Sequence, residues 1–343
     1  MTKKLFALLL ILLLTLFLCG CFNRNPQETP DYDWVSESKG NQDAVMFGGI
    51  SQGDLMLLDN LNIPINYDTT LVHNVEPVTY NIRIRNTNDV EVECTFFIYN
   101  NGDFVPIAVE NHDFVEFYTT TLKGNEVIIL PFRINPQILS YDIPSVVLLT
   151  CAFIDTNHLE VMKNVNSPMW DVSSVVGVPF RMIASEEVVQ KNIYNDNVYT
   201  GGIRADYIED GKNIEEGQLL PSWGLSFGNR INETIPFSIS PQLKYNSDLY
   251  LRAQGQPDSG LNHALVFANN IPVRVFNGKA FVKFNQEKRN AYSFEIDKQV
   301  LVSGGNTLYA VCFNDSAISS MFTDTGSAYM PVMAYTMAYI EVR

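Results

Sequence analysis

The strictest constraint on the fold is an alternation of apolar and polar residues with a period of two. Tyr80, Ile82 and Ile84 alternate with Thr79, Asn81, Arg83 and Arg85. After residues 86–89, Val90, Val92, Cys94, Phe96 and Ile98 alternate with Glu91, Glu93, Thr95, Phe97 and Tyr99. Successive side chains of a strand point to opposite faces, so this pattern gives each segment a core face and a wetter one. It predicts two strands, 79–85 and 90–99, paired antiparallel through a short turn. Asn101-Gly102 then offers the positive φ values of a tight hairpin, with 104–109 returning as a third strand. Lys123-Gly124-Asn125 opens a run over 126–134, and 145–155 closes the set. Short strands punctuated by turn signals predict a β-sandwich.

Residues 157–200 lose the alternation and are the expected place of a domain junction, with room at 186–192 for one or two helical turns. Strand patterns resume at 235–240, 249–254, 264–268, 273–276, 280–284, 292–296, 308–313 and 330–342, and Asn277-Gly278 marks a second tight hairpin. In the last strand Val332, Ala334, Thr336, Ala338 and Ile340 share one face, and Met333, Tyr335, Met337 and Tyr339 the other. Both faces are apolar, so this strand is expected at the centre of its sheet or under the first domain. An apolar content of 46% excludes wholesale disorder. The expected fold class is all-β, with two β-sandwich domains.

The central hairpin, the Leu122-Lys123-Gly124-Asn125 turn and the Cys151-Ala152-Phe153-Ile154-Asp155 strand resemble immunoglobulin-like domains of bacterial surface proteins over about residues 70–156. The resemblance implies scaffolding or recognition and no particular chemistry. Ser293-Phe294-Glu295-Ile296-Asp297, then Val300-Leu301-Val302 and Gly304-Gly305-Asn306-Thr307-Leu308, resemble the closing strands of galactose-binding-like jelly rolls, over about residues 235–343.

Lys3 and Lys4 precede a run over 5–17 whose one polar residue is Thr15, followed by Leu18-Cys19-Gly20-Cys21. That is the layout of a signal peptide, and its end resembles a bacterial lipobox. The resemblance implies cleavage after Gly20 and a diacylglyceryl thioether on Cys21, which places the protein on the extracytoplasmic face of a membrane. The alternatives are a plain secretory signal or a retained span, for which the run is short of the roughly 20 residues needed. Residues 22–43, polar and without periodicity, read as a tether. The expected organisation is thus 1–20 signal peptide, 21–43 lipidated tether, 44–180 immunoglobulin-like domain and 195–343 jelly-roll-like domain.

The whole chain carries 23 basic and 38 acidic residues, and loss of Lys3 and Lys4 with the signal changes its net charge from −15 to −17. Such a surface repels phosphodiester backbones, so nucleic acid is excluded as a partner. The expected partners are the membrane, through lipid on Cys21, and a wall glycan or envelope protein. Beyond Cys19 and Cys21, the cysteines Cys94, Cys151 and Cys312 each lie in an apolar strand. Buried thiols are favoured over a Cys94–Cys151 disulfide, and no pair has the close spacing of a zinc or redox site.

Gly224-Leu225-Ser226-Phe227-Gly228 has the nucleophile-elbow pattern, with Asp258 and His263 following in hydrolase order. An elbow needs a strand before the serine and a helix after it, and strand residues follow instead. His73, His112, His158 and His263 are too scattered for a local metal motif and read as ordinary hydrogen-bonded histidines. The acids Asp206, Glu209, Asp210, Glu215 and Glu216 lack the alternate-position spacing of a calcium loop. No cofactor and no metal is expected. Tyr194, Tyr199, Tyr207 and Trp223 gather in the loop-rich stretch before the second domain, where their rings either form a contact surface or pack the seam between domains. These features point to a membrane-anchored binding or scaffolding lipoprotein and not to an enzyme. The alternatives are an envelope hydrolase acting on wall glycan or peptide, and a transporter-associated solute-binding lipoprotein, which requires two α/β lobes.

Overall fold

The alternating segments of the sequence become strands in the computed structural model, which describes residues 45–47, 53–66, 69–74, 78–136, 139, 144–163, 173–185, 197–205, 208–209, 212–213, 224–231, 242–254, 260–286, 291–322 and 332–343. The first half supplies β1 (Val45–Phe47), β2 (Gly53–Leu58), β3 (Thr70–His73), β4 (Thr79–Asn86), β5 (Val92–Asn100), β6 (Asp103–Val105), β7 (Ile107–Val109), β8 (Tyr118–Leu122), β9 (Val127–Ile134), β10 (Ser145–Asp155), the helix α1 (His158–Met162) and β11 (Ser173–Ala184). The second half supplies β12 (Val198–Tyr199), β13 (Ile203–Ala205), β14 (Ile208–Glu209), β15 (Lys212–Asn213), β16 (Gly224–Gly228), β17 (Gln242–Lys244), β18 (Tyr250–Gln254), β19 (Gly260–Ala268), β20 (Ile271–Pro272), β21 (Phe281–Gln286), β22 (Ala291–Glu295), β23 (Gly304–Asn314), the helix α2 (Asp315–Ser320) and β24 (Val332–Val342). The class is all-β and sandwich-like, as the alternation predicts.

Four of the five sheets among the described residues stack as layers, and the fifth is the β14-β15 pair. In the first half an outer sheet β2-β4-β9-β7 faces an inner sheet β1-β11-β10-β5-β6, which also carries β3 on β11 and β8 on β5. In the second half an inner sheet β12-β21-β19-β23-β24-β17 faces an outer sheet β13-β22-β18-β16. Three apolar cores fill the spaces between them. The first, between the first two sheets, holds Ile82, Ile84 and Phe132 against Cys94, Phe96, Ile98 and Phe180. The middle core joins the two inner sheets, with Phe97, Tyr99, Phe104 and Leu148 against Leu265, Phe267, Phe281, Val311 and Phe313. The third packs Ala264, Val266, Leu308 and Ala338 against Phe227, Leu251 and Phe294. Residues Ala44–Arg343 accordingly form one compact unit.

The pairing of 79–85 with 90–99 needs correction. β4 pairs with β2 and β9, and β5 with β10, β6 and β8, so the two strands lie in different sheets. Their apolar faces meet across the first core. The link between them is an arch held by Asn86, whose amide donates to Val90 O (2.7 Å) and Lys123 O (2.9 Å) while its Oδ1 accepts from Asn88 N–H (3.0 Å). A buried Asn that satisfies three backbone groups turns the chain out of one layer into the next, which short spacing alone does not distinguish from a hairpin.

The Asn101-Gly102 hairpin is present, with φ of 49° and 83°, and it pairs β5 with β6. Pro106 interrupts the returning strand, and β7 crosses to the outer sheet. Asn277-Gly278 also turns with positive φ, between Phe276 and Lys279. Asn306 staples the turn before β23 by accepting from Val302 N–H (3.1 Å) and donating to Val302 O (2.8 Å). From Thr336 to Ile340 β24 is buried on both faces: Met337 and Tyr339 lie in the middle core, Ala338 and Ile340 in the third. Cys94, Cys151 and Cys312 are free and buried. Burial raises the pKa of the Cys151 and Cys312 thiols, which keeps them protonated and inert.

Candidate functional site

The densest polar chemistry among the described residues lies inside the middle core. β5 turns Thr95, Phe97 and Tyr99 toward the second half because its other face is committed to the first core. β19 places His263 beside Phe313 of β23, and the chain then turns into α2, whose first residue is Asp315. Asn314 caps that helix, its Oδ1 accepting from Ala317 N–H at 2.6 Å, and its amide donates to Asn262 Oδ1 at 2.9 Å. The cap fixes Asp315 against the seam.

Three side chains converge there. His263 Nδ1 lies 2.6 Å from Asp315 Oδ2 and 3.1 Å from the Tyr99 hydroxyl, which donates to Asp315 Oδ1. A carboxylate accepts only, so it takes both the Nδ1 hydrogen of His263 and the phenol hydrogen of Tyr99. Tyr99 is fully buried and its ring stacks on Phe313, with centroids 4.1 Å apart. Burial raises the Tyr99 pKa well above the ordinary phenol value, and the Asp315 charge adds to the rise, so the hydroxyl remains a donor. The far nitrogen of the imidazole faces the Asn101-Gly102 turn. A Cβ at Gly102 would lie 2.7 Å from Nε2, so the turn requires glycine for its positive φ and for this approach.

Further bonds tie the same seam. Thr95 Oγ1 donates to Asn270 O (2.7 Å), the Asn270 amide to Glu93 O (3.1 Å), and the Tyr309 hydroxyl to Asn270 Oδ1. The Asn197 amide donates to Asp103 Oδ1 (3.1 Å), while Arg274 donates to Asn197 Oδ1 and Glu116. At the other end Gln242 Nε2 donates to Met162 O (2.7 Å).

The sequence candidates distribute unevenly over this geometry. Ser226 sits mid-strand in β16 opposite Arg252, in an outer sheet, and not at a strand-to-helix elbow. His263 has a carboxylate partner, but it is Asp315; Asp258 lies outside the described residues. Tyr199 is half-buried in β12, beside Val282 of β21, and packs against the third core. Tyr194, Tyr207, Trp223 and Cys21 lie outside the described residues. The sequence reading passes over Asp315 and Tyr99, whose one local signal is the Asn314-Asp315 pair that starts a helix straight after an apolar strand.

No family model matches this chain, and no curated protein does. Among solved structures, the Salmonella enterica SafA pilin in complex with the SafB chaperone aligns over 76% of this chain and 90% of that one, at 10% identity and a TM-score of 0.24. The E. coli chaperone DraB aligns over 84% and 97%, at 9% identity and 0.24. The CsuC-CsuE chaperone-tip adhesion subunit complex of Acinetobacter baumannii aligns over 84% and 99%, at 11% identity and 0.24. At such TM-scores the likeness carries no argument about this chain.

Proposed function

We propose that this chain is a binding or scaffolding module of the cell envelope, held on the extracytoplasmic face of a membrane by lipid on Cys21, with residues 22–43 as its tether. The proposal takes the first half as immunoglobulin-like and the second as jelly-roll-like, which the layered, mostly antiparallel sheets support. The observation that carries it is burial. Among the described residues, the carboxylate, imidazole and hydroxyl that meet at the seam are closed between two sheets, with Tyr99 at 0% and His263 at 3% exposure. Acid–base or nucleophilic chemistry needs such groups within reach of a substrate; here they join layers and stiffen the body. An all-β stack also differs from the two α/β lobes of a solute-binding lipoprotein.

Mass spectrometry of detergent-extracted protein is expected to show Cys21 as a lipid-bearing N-terminus. Gentle cross-linking on cells is expected to recover a wall or envelope component. A retained 1–20 segment, or a processed Cys21→Ala protein that stays on the membrane, overturns the anchor. Turnover of wall glycan or peptide that vanishes on replacing a single carboxylate or serine overturns the binding reading in favour of an envelope hydrolase.

A further inference from the structure

Exposed apolar side chains occur singly on any soluble surface and carry no message there. In this chain five large ones gather at one end of the outer sheet β2-β4-β9-β7: Leu61 (72% exposed), Ile63 (56%), Val78 (36%), Phe114 (42%) and Val115 (41%). The register places them together. Leu58 of β2 opposes Asn81 of β4, Thr79 opposes Arg133 of β9, and Arg133 opposes Ala108 of β7. The loop carrying Leu61 and Ile63 therefore leaves β2 at the end of the sheet where Val78 enters β4. On the far side Val115 exchanges two 2.8 Å backbone hydrogen bonds with Ile107 of β7, and the Arg133 guanidinium lies over the Phe114 ring, 5.7 Å from its centroid. Between the two apolar banks runs an open groove of ≈ 700 Å³ lined by Thr79, Glu110, Asn111, Pro131, Phe132 and Arg133.

The Leu61 bank is fixed in place. Asp59 Oδ1 accepts from the backbone N–H of both Leu61 and Ile63 at 2.8 Å, and Asp59 N–H donates to Ile63 O at 2.8 Å. Asn81 reaches across from β4 to donate to Asp59 O (3.2 Å) and Asn62 Oδ1 (2.7 Å). Two aliphatic side chains are thus held in water by a network of polar bonds, an arrangement that lowers the ordering cost of binding. Asp59, Glu110 and Asp113 surround the patch, and the whole chain carries −15, so an anionic bilayer is repelled from it. Arg133 is the cation within the groove and offers a fork of donors to a carboxylate. Glu110 on the same groove disfavours a second acid.

We propose that this end of the outer sheet docks an extended polypeptide segment of another protein, with two apolar side chains six residues apart seated on the Leu61–Ile63 and Phe114–Val115 banks and one acidic residue between them, two or four positions after the first, meeting Arg133. The spacing follows from sheet geometry. Val115 pairs on the far edge of β7, so its bank lies four strand spacings from β2, about 19 Å, with Arg133 of β9 halfway, and an extended chain covers about 20 Å between residues i and i+6, which share a face with i+2 and i+4. The inference rests on the binding-module reading and names its partner chemistry.

The test is panning of a random dodecapeptide display library on the detergent-solubilised full-length chain, followed by titration of an enriched peptide. Enriched sequences should share two apolar residues six positions apart, with an acidic residue two or four positions after the first. Leu61→Ser and Phe114→Ser should each weaken binding tenfold or more while the protein stays folded, Leu61→Ser without moving the thermal unfolding midpoint because its side chain faces solvent. Arg133→Glu should switch the preferred middle residue from acidic to basic, a reversal that simple loss of structure does not produce. Enrichment with no common spacing, or a peptide that binds all three variants as tightly as wild type, overturns the proposal. So does adsorption to neutral or anionic vesicles that Leu61→Ser abolishes, which assigns the patch to lipid, or self-association that it abolishes, which assigns it to a second copy. If Leu61→Ser and Phe114→Ser keep every cross-link formed on cells, this surface fails while the module reading stands. If wild type forms none, the module reading itself fails.

Discussion

β4 and β5 follow one another in the chain and differ in what their second face meets. From Tyr80 to Ile84 every other residue of β4 is buried, and Asn81 and Arg83 between them are half-exposed. In β5 the run from Cys94 to Tyr99 is buried without a break, because Cys94, Phe96 and Ile98 enter the first core and Phe97 and Tyr99 the middle one. The outer strand has one dry face and the inner strand two. The contrast separates a sandwich from a stack: a sheet whose outward face is still apolar has another sheet to cover it.

The comparison breaks most readily at the middle core. Phe97 meets Phe267 and Phe313 of the second half as well as Phe104 of its own. Phe97→Ala should cost about 3–5 kcal/mol, as truncation of a fully packed aromatic does. Urea unfolding should remain a single transition, since the lost contacts belong to both halves. Two separate transitions, with only one shifted by the substitution, would show that the layers do not cooperate.

The second test uses a titratable group wedged between layers. His73 on β3 pairs alongside β11 of the inner sheet and approaches the Tyr80 hydroxyl of the outer sheet at 3.5 Å. Burial lowers its pKa from 6.5 to about 4, so it folds as the neutral imidazole. The unfolded chain binds the extra proton between these values. Stability from this group is therefore complete above pH 6.5 and declines as pH falls from 6.5 toward 4, by at most about 3 kcal/mol. Unfolding free energies of wild type and His73→Asn at pH 7.5 and 4.5 should differ in pH dependence in this sense. Equal pH dependence in the two proteins would place His73 in a wetter site.

The seam network gives a smaller effect, read best as a coupling. Asp315→Ala and Tyr99→Phe each remove one side of a buried bond, at about 1–3 kcal/mol. The double variant should lose less than the sum, with a coupling of about 0.5–3 kcal/mol. Additive losses in thermal unfolding would mean that the two side chains do not share a bond.

How much of this was legible in the sequence depends on the same difference between layers. The one-sided strands stood out, and 126–134 and 145–155 appear nearly or wholly as expected, as Val127–Ile134 and Ser145–Asp155. β11 escaped notice. Ser173–Ala184 is apolar on both faces and holds Pro179 opposite Leu148, so it offers neither alternation nor an unbroken β-branched run. The partners of β4 and β5 were likewise out of reach, because alternation fixes which face is dry and leaves the neighbouring strand open. The seam was harder still. Tyr99, His263 and Asp315 are 164 and 52 positions apart, and only a packing of sheet on sheet brings them within bonding distance. The exposed patch left no sequence signal either, since an aliphatic residue in a loop looks like any other until its burial is known.

The smallest effect is the sharpest test of which faces are wet. Arg83 stands on the outward face of β4, between Met56 of β2 and Ile129 of β9, half-exposed and near the Asp54 carboxylate. Its neighbour Ile82 points into the first core with 0% exposure. Ile82→Ala should cost about 2–5 kcal/mol, whereas Arg83→Ala should stay within about 0.5 kcal/mol, because a solvated guanidinium near one carboxylate adds little. Burial lifts the Asp54 pKa while Arg85 and Arg83 pull it down. Loss of Arg83 should therefore raise it further, visible as an upward shift in the carboxyl titration followed by NMR. Comparable destabilisation by the two substitutions would mean that the outer sheet is covered as the inner ones are, and the contrast between β4 and β5 would lose its basis.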